Sequence, residues 1–151
     1  MNFEVQNESE MQQFGEKLGS LLHGGEIIEL IGDVGAGKTT LTKAIAKGLK
    51  IDEDVQSPSF TISRIYPARD GLSLAHYDFY RLSDAGILAN ELHETLHEAK
   101  TITIVEWADI VNGVLPDDRI SVIITPLSET ARKVNIRAGG HRSQALVGAF
   151  E

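Results

Sequence analysis

The sequence predicts an α/β domain with a central mixed, mostly parallel sheet flanked by helices. Three observations lead there. Apolar β-branched runs alternate with amphipathic stretches, a glycine-rich loop separates one such run from one such stretch, and 151 residues suffice for one sizeable core but not for two. Residues 1–151 are therefore read as a single domain.

Taken in order, SEMQQFGEKLGSLL places Met11, Phe14, Leu18, Leu21 and Leu22 on one helical face, with Ser9 as the expected N-cap. EIIELI reads as a short strand. After the glycine loop, KTTLTKAIAKGL carries Leu41, Ala44, Ile45 and Leu49 on one face and reads as a helix ending near Gly48. In VQSPSFTISRIYPARDGLSLAHYDFYRL, two β-rich runs flank the turn signal PARDG, which predicts a hairpin. DAGILANELHETLHEA is expected to be helical. TITIVEW is apolar and β-branched enough for a central strand, and RISVIIT and ARKVNIRA read as two further strands before a short C-terminal helix.

Composition narrows the function classes. Apolar residues make up 42% and charged residues 24%, the balance of a globular chain rather than a disordered one. The net charge is −8, with 11 acidic and 7 basic residues in each half, so no basic patch suits direct grip on nucleic acid phosphates. DNA is not expected as a partner, and a nucleic-acid role is expected to be indirect. Cysteine is absent, which removes disulfides and thiolate chemistry. No apolar run approaches the ~20 residues of a membrane span, and the acidic N-terminus does not resemble a signal peptide, so the expected location is cytoplasmic, without a membrane partner.

GDVGAGKT fits GxxxxGK[ST], with Gly32, Gly37, Lys38 and Thr39 at the fixed positions, directly after a strand and before a helix. Glycines permit backbone conformations closed to other residues and let main-chain N–H groups approach phosphate oxygens. The helix N-terminus adds unpaired donors and partial positive charge. Lys38 is expected to neutralise the β- and γ-phosphates, and the Thr39 hydroxyl to ligate the Mg²⁺ that bridges them. The fold class is accordingly P-loop NTPase-like.

A phosphate cradle alone does not separate hydrolase, kinase and sensor. Glu106 ends the apolar strand TITIVEW, where a sheet presents groups to a ligand at its carboxyl edge, and could hold Mg²⁺ or polarise the attacking water. Trp107 follows it and could shield the site. In HYDFYRL, strand alternation puts His76, Asp78 and Tyr80 on one face and Tyr77, Phe79 and Arg81 on the other. Asp78 could orient water or a magnesium-bound group, and His76 could bond to Asp78 or to the phosphate. In SPSFT, hydroxyls around Pro58 could sense the γ-phosphate or Mg²⁺ as switch segments do.

The order of these pieces, GDVGAGKTT, then SPSF, HYDFYRL, IVEW and LPDDR, resembles the bacterial TsaE family, formerly YjeE, over nearly the whole chain. The resemblance implies an ATPase needed to form threonylcarbamoyladenosine at position 37 of ANN-decoding tRNAs, acting with TsaD and TsaB, the tRNA being held by those partners. It implies that Asp33, Val34, Gly35, Ala36, Gly37, Lys38, Thr39 and Thr40 bind ATP phosphates, that Thr39 and Glu106 hold Mg²⁺, and that Lys38, Asp78 and Glu106 are catalytic. Arg132 matches an arginine near the family's nucleotide site. Whether Asp78 or Glu106 activates water stays open.

The chain also departs from the family pattern. Ser59 replaces the threonine of SPTF, Met11 stands where a threonine often lies near the adenine, and the segment after Leu82 lacks an acidic-glycine pattern. Two other readings share the same loop: a nucleotide-gated interaction module and a small phosphotransferase. A GTPase is disfavoured because no N-K-x-D-like guanine-reading segment occurs.

Overall fold

The computed structural model describes residues 1–56 and 62–150. The SPSFT segment and its hydroxyls, including Ser57, Ser59 and Thr61, therefore lie outside the described residues.

The elements are β1 (Asn2–Val5), α1 (Glu8–Leu21), β2 (Ile27–Ile31), α2 (Lys38–Gly48), β3 (Ser63–Pro67), β4 (Ser73–Asp78), α3 (Leu88–Leu96), β5 (Thr101–Glu106), β6 (Ile120–Pro126), β7 (Arg132–Ala138) and α4 (His141–Phe150). They build one seven-stranded sheet in the order β1-β7-β6-β2-β5-β4-β3. The pairings β6–β2, β2–β5 and β5–β4 are parallel, while β1–β7, β7–β6 and β4–β3 are antiparallel. Five strands thus run in one direction and only β7 and β3 oppose them, which is the mixed, mostly parallel sheet expected.

Side-chain alternation splits the core into two layers. On one face Ile28, Leu30, Leu74, Ile102 and Ile104 pack under Met11, Phe14, Leu18, Leu41, Ile45 and Leu49 of the α1–α2 region, with Leu146 of α4 alongside. On the other, Ile27, Ala75, Tyr77 and Val105 pack against Leu92 of α3 and against Ala108 and Val111 of a short 3₁₀ turn. All six residues of β5 are buried, as a strand covered on both faces must be.

The hairpin expected around PARDG is present, with Ser63 opposite Tyr77 and Pro67 opposite Ser73. Its tip also clamps a helix end. The Arg69 guanidinium donates to the carbonyls of Gly19, Ser20 and Leu22 at 3.1, 3.0 and 2.8 Å, tying three acceptors at the C-terminus of α1 to the hairpin.

Two details differ from expectation. The N-cap of α1 is Asn7 rather than Ser9; its extended backbone lets its side chain accept from Glu10 N, while Glu10 accepts from Gln6 N, so the helix begins earlier. β1 was not expected, because four residues beside an acidic segment carry little periodicity and pair only with the distant β7. No helix among the described residues is long and apolar enough to cross a membrane.

Candidate functional site

Parallel pairing of β2, β5 and β4 brings three chemically distinct strand ends to one edge of the sheet. Leu30 pairs with Glu106 and Glu106 with Asp78, so the glycine loop that follows β2, the acid that ends β5 and the acid that ends β4 stand side by side. This is the carboxyl edge, where open α/β sheets receive ligands.

Between β2 and α2 the loop turns on Gly35 (φ +84) and Gly37 (φ +113), conformations that L side chains adopt only under strain. Nothing lies within 4 Å of the place a Cβ would occupy on Gly35, so the loop borders open space. Gly37 caps α2 without any side-chain hydrogen bond, which leaves the first turn of the helix open to an external acceptor. Beside it lies a cleft of about 380 Å³ lined by Val34, Lys38, Thr39, Asp78, Glu106 and Trp107, with Gly35, Gly37, Thr40, Tyr80 and Arg81 completing it. The sheet register therefore gathers Lys38, Thr39, Asp78 and Glu106, which are far apart in sequence, at one opening.

Lys38 is buried and turned back on its own loop, its Nζ donating to Gly32 O and lying 4.0 Å from the centre of the Trp107 ring. Burial holds its amine below the ordinary lysine value, against the opposing pull of the Glu106, Asp78 and Asp33 carboxylates. Trp107 itself has a left-handed backbone (φ 55, ψ 52), an unusual conformation for a bulky residue, and its ring stands 4.7 Å from that of Tyr80. The tryptophan is thus a wall of the cleft.

Alternation along HYDFYRL holds as far as Phe79: Tyr77 and Phe79 enter the α3-side core, and His76 and Asp78 face the other way. It stops there because Asp78 Oδ1 accepts from Tyr80 N at 3.0 Å and the chain turns. Tyr80 and Arg81 consequently both line the cleft, although a continuous strand would separate them. His76 is not on a wet face. It is 1% exposed, and its Nε2 lies 2.6 Å from Glu106 Oε2, so it bonds to Glu106 rather than to Asp78.

Asp33 and Val34 are exposed on the outside of the loop, with Ala36 N bonded to Asp33 O at 3.0 Å. Arg132 reaches the same loop from β7: its Nε donates to Ala36 O at 2.9 Å and its Nη1 to the carbonyls of Ser128 and Ala131. It braces the loop beside a recess of about 230 Å³ that Met11, Thr40 and Thr130 help to line.

A divalent cation can be tested against this donor set. A hydroxyl on Thr39 and carboxylates on Glu106 and Asp78 are hard oxygen donors beside a phosphate-sized cradle, which fits Mg²⁺ and not a thiolate- or imidazole-seeking metal. Among the described residues no cluster of three or more His, Cys, Asp or Glu could hold a metal by itself.

Comparison with known proteins places the chain. It is 39% identical over 123 residues to the tRNA threonylcarbamoyladenosine biosynthesis protein TsaE of Bacillus subtilis, covering 81% of this chain and 75% of that protein. It is 30% identical over 151 residues to the protein of the same name from Haemophilus influenzae, covering 97% and 94% of the two. A crystal structure of Bacillus subtilis YdiB superposes with a TM-score of 0.81 at 30% identity, over 99% of this chain and 93% of that one. The profile of the family described as threonylcarbamoyl adenosine biosynthesis protein TsaE matches residues 5–134, and the chain belongs to that family.

Proposed function

We propose that this protein hydrolyses Mg²⁺-ATP within the bacterial machinery that forms threonylcarbamoyladenosine at position 37 of ANN-decoding tRNAs, working in the cytoplasm with TsaD and TsaB. Family membership supports the pathway. The observation that carries the chemistry is the convergence of Lys38, Thr39, Asp78 and Glu106 on one cleft beside an uncapped helix start.

In this reading residues 33–40 wrap the phosphates. The amides of the loop and of the first turn of α2 donate to phosphate oxygens, and Lys38 leaves Gly32 O and the Trp107 ring to meet the β- and γ-phosphates. Thr39 and Glu106 would hold Mg²⁺, which when bound would neutralise phosphate charge. Asp78 orients water at the cleft, the water oxygen bonds to the γ-phosphorus, and the bond to the β-phosphate oxygen breaks to give ADP and phosphate. Arg132 braces the loop from behind through Ala36 O. The acidic surface agrees with tRNA being held by the partners.

Phosphate release from ATP and GTP, with Mg²⁺, tests this in the isolated chain and again with TsaB, TsaD and tRNA. ATP-selective release that rises with the partners and collapses in Lys38→Ala and Glu106→Gln is the expected result. Nucleotide binding without release under any condition would replace hydrolysis with nucleotide-gated docking.

A further inference from the structure

We infer that His76 is a positioning residue for Glu106: it holds the carboxylate from behind so that the acid meets the cation side of the cleft in one fixed orientation. This rests on the reading of the cleft as a Mg²⁺-ATP site. His76 and Glu106 sit on adjacent parallel strands and on the same face, His76 pairing with Ile104 and Asp78 with Glu106, so the imidazole reaches Glu106 diagonally. The contact, Nε2 to Oε2 at 2.6 Å, lies between side chains only 2% and 4% exposed. An ionised carboxylate can only accept, so Nε2 supplies the proton of the bond.

The other ring nitrogen shows why packing alone does not account for the residue. Among the described residues His76 Nδ1 is buried with no hydrogen-bond partner, and its neighbour on the same face, Leu74, is apolar. An unpaired polar atom in such a place is costly, and an apolar side chain of similar volume would avoid it. What the imidazole provides in exchange is the single donor at Glu106. Carboxylates that meet metals are commonly oriented by such partners, whose loss typically weakens metal affinity 10–100-fold. Glu106 is also the acid nearest in effect to Lys38, ahead of Asp78 and Asp33, so fixing it fixes the charge that faces the lysine.

The test separates reach from size. Glutamine carries an N–H near the reach of Nε2, whereas asparagine stops near the reach of Nδ1. Trp107, the only tryptophan in the chain, lines the cleft, so its emission is followed together with calorimetry as the readout of nucleotide binding. Titrating Mg²⁺ into the 151-residue chain with ATP should give a half-saturating Mg²⁺ concentration about tenfold or more higher in His76→Asn than in wild type. His76→Gln should stay within about threefold, and Mg²⁺-free ATP binding should be unchanged in both. A folded His76→Asn with the wild-type midpoint, or a His76→Gln as impaired as His76→Asn, overturns the inference and leaves the Mg²⁺-ATP site standing. Wild-type binding indifferent to Mg²⁺ removes that site and the inference together. Should His76→Asn fail to fold, ¹⁵N-labelled histidine in the wild-type chain decides the matter. The His76 ring resonances should show a protonated Nε2 and shift when Mg²⁺ joins the nucleotide complex, and an unprotonated Nε2 or unmoved resonances overturn the inference.

Discussion

The Lys38 ammonium lies 4.0 Å from the centre of the Trp107 ring while it donates to the carbonyl of Gly32. A lysine so placed faces a π surface and a backbone dipole, both weaker partners than a phosphate dianion. Adding ATP should therefore draw the amine off the ring and change tryptophan emission in a saturable way. Lys38→Ala should weaken ATP binding by roughly 10–100-fold, the range of a charge-assisted contact of about 1.5–3 kcal/mol. Emission that does not respond to ATP, with binding seen by calorimetry, would mean the lysine stays where it is.

The depressed lysine also sets a pH dependence. Burial disfavours the charged amine, so between its lowered value and the ordinary lysine value the unfolded chain binds more protons than the folded one. Stability relative to Lys38→Met should rise with pH across that window, once the cost of the buried charge is relieved. Bound phosphate favours the charged form, so ATP binding should take up a proton there and affinity should fall as pH climbs. Thermal melts and calorimetry in buffers of different ionisation enthalpy check the two halves separately. An affinity that rises with alkaline pH would reverse the sign.

Helix α1 crosses α2 at glycine. A Cβ on Gly19 would stand 2.2 Å from Ile45 O, and one on Gly48 2.3 Å from Glu16 O, both rigid backbone atoms. Gly19→Ala gains about 1 kcal/mol of helix propensity, yet the forced separation of the helices should outweigh it and leave a net loss of about 1–3 kcal/mol. Gly148 in α4 has nothing within 4 Å, so Gly148→Ala should be neutral or mildly stabilising. Denaturant melts should show a loss of stability in Gly19→Ala and none in Gly148→Ala, and equal shifts would contradict the close crossing.

Asp118, on the loop before β6, caps α4 from outside. Its carboxylate accepts from Ser143 Oγ at 2.7 Å, Ser143 N at 3.0 Å and Arg142 N at 3.2 Å, and the Ser143 hydroxyl bond is the main cause that holds the carboxyl below its ordinary value. A carboxyl held below its ordinary value contributes stability above that value and loses it as pH falls through the folded one. Asp118→Ala should cost about 1 kcal/mol near neutral pH, as for a lost cap, and the gap to wild type should close in strong acid. A gap that persists unchanged at low pH would assign the loss to packing instead.

Periodicity was enough for most of the sheet and helices, because each carries a strong apolar pattern and a turn signal, as in TITIVEW or PARDG. The glycine loop was legible from spacing alone. What the sequence could not show was adjacency between β4 and β5, so the bond from His76 to Glu106 instead of Asp78 emerged only with the register. Tyr80 and Arg81 were misplaced relative to each other because the Asp78 side chain ends the strand through a local bond that period two does not encode. Trp107 lines the cleft beside Glu106, where its position in the sequence suggested a shield, but its contact with Lys38 depends on a left-handed backbone that no pattern in IVEW announces.

The most direct test of the central claim is the threonylcarbamoyladenosine content of tRNA in bacteria whose own TsaE has been removed and replaced by this chain. Wild type should restore the modified base, and Lys38→Ala and Glu106→Gln, expressed and folded to the same level, should not. Full restoration by both variants would show that the cleft does not drive the modification and would contradict the account.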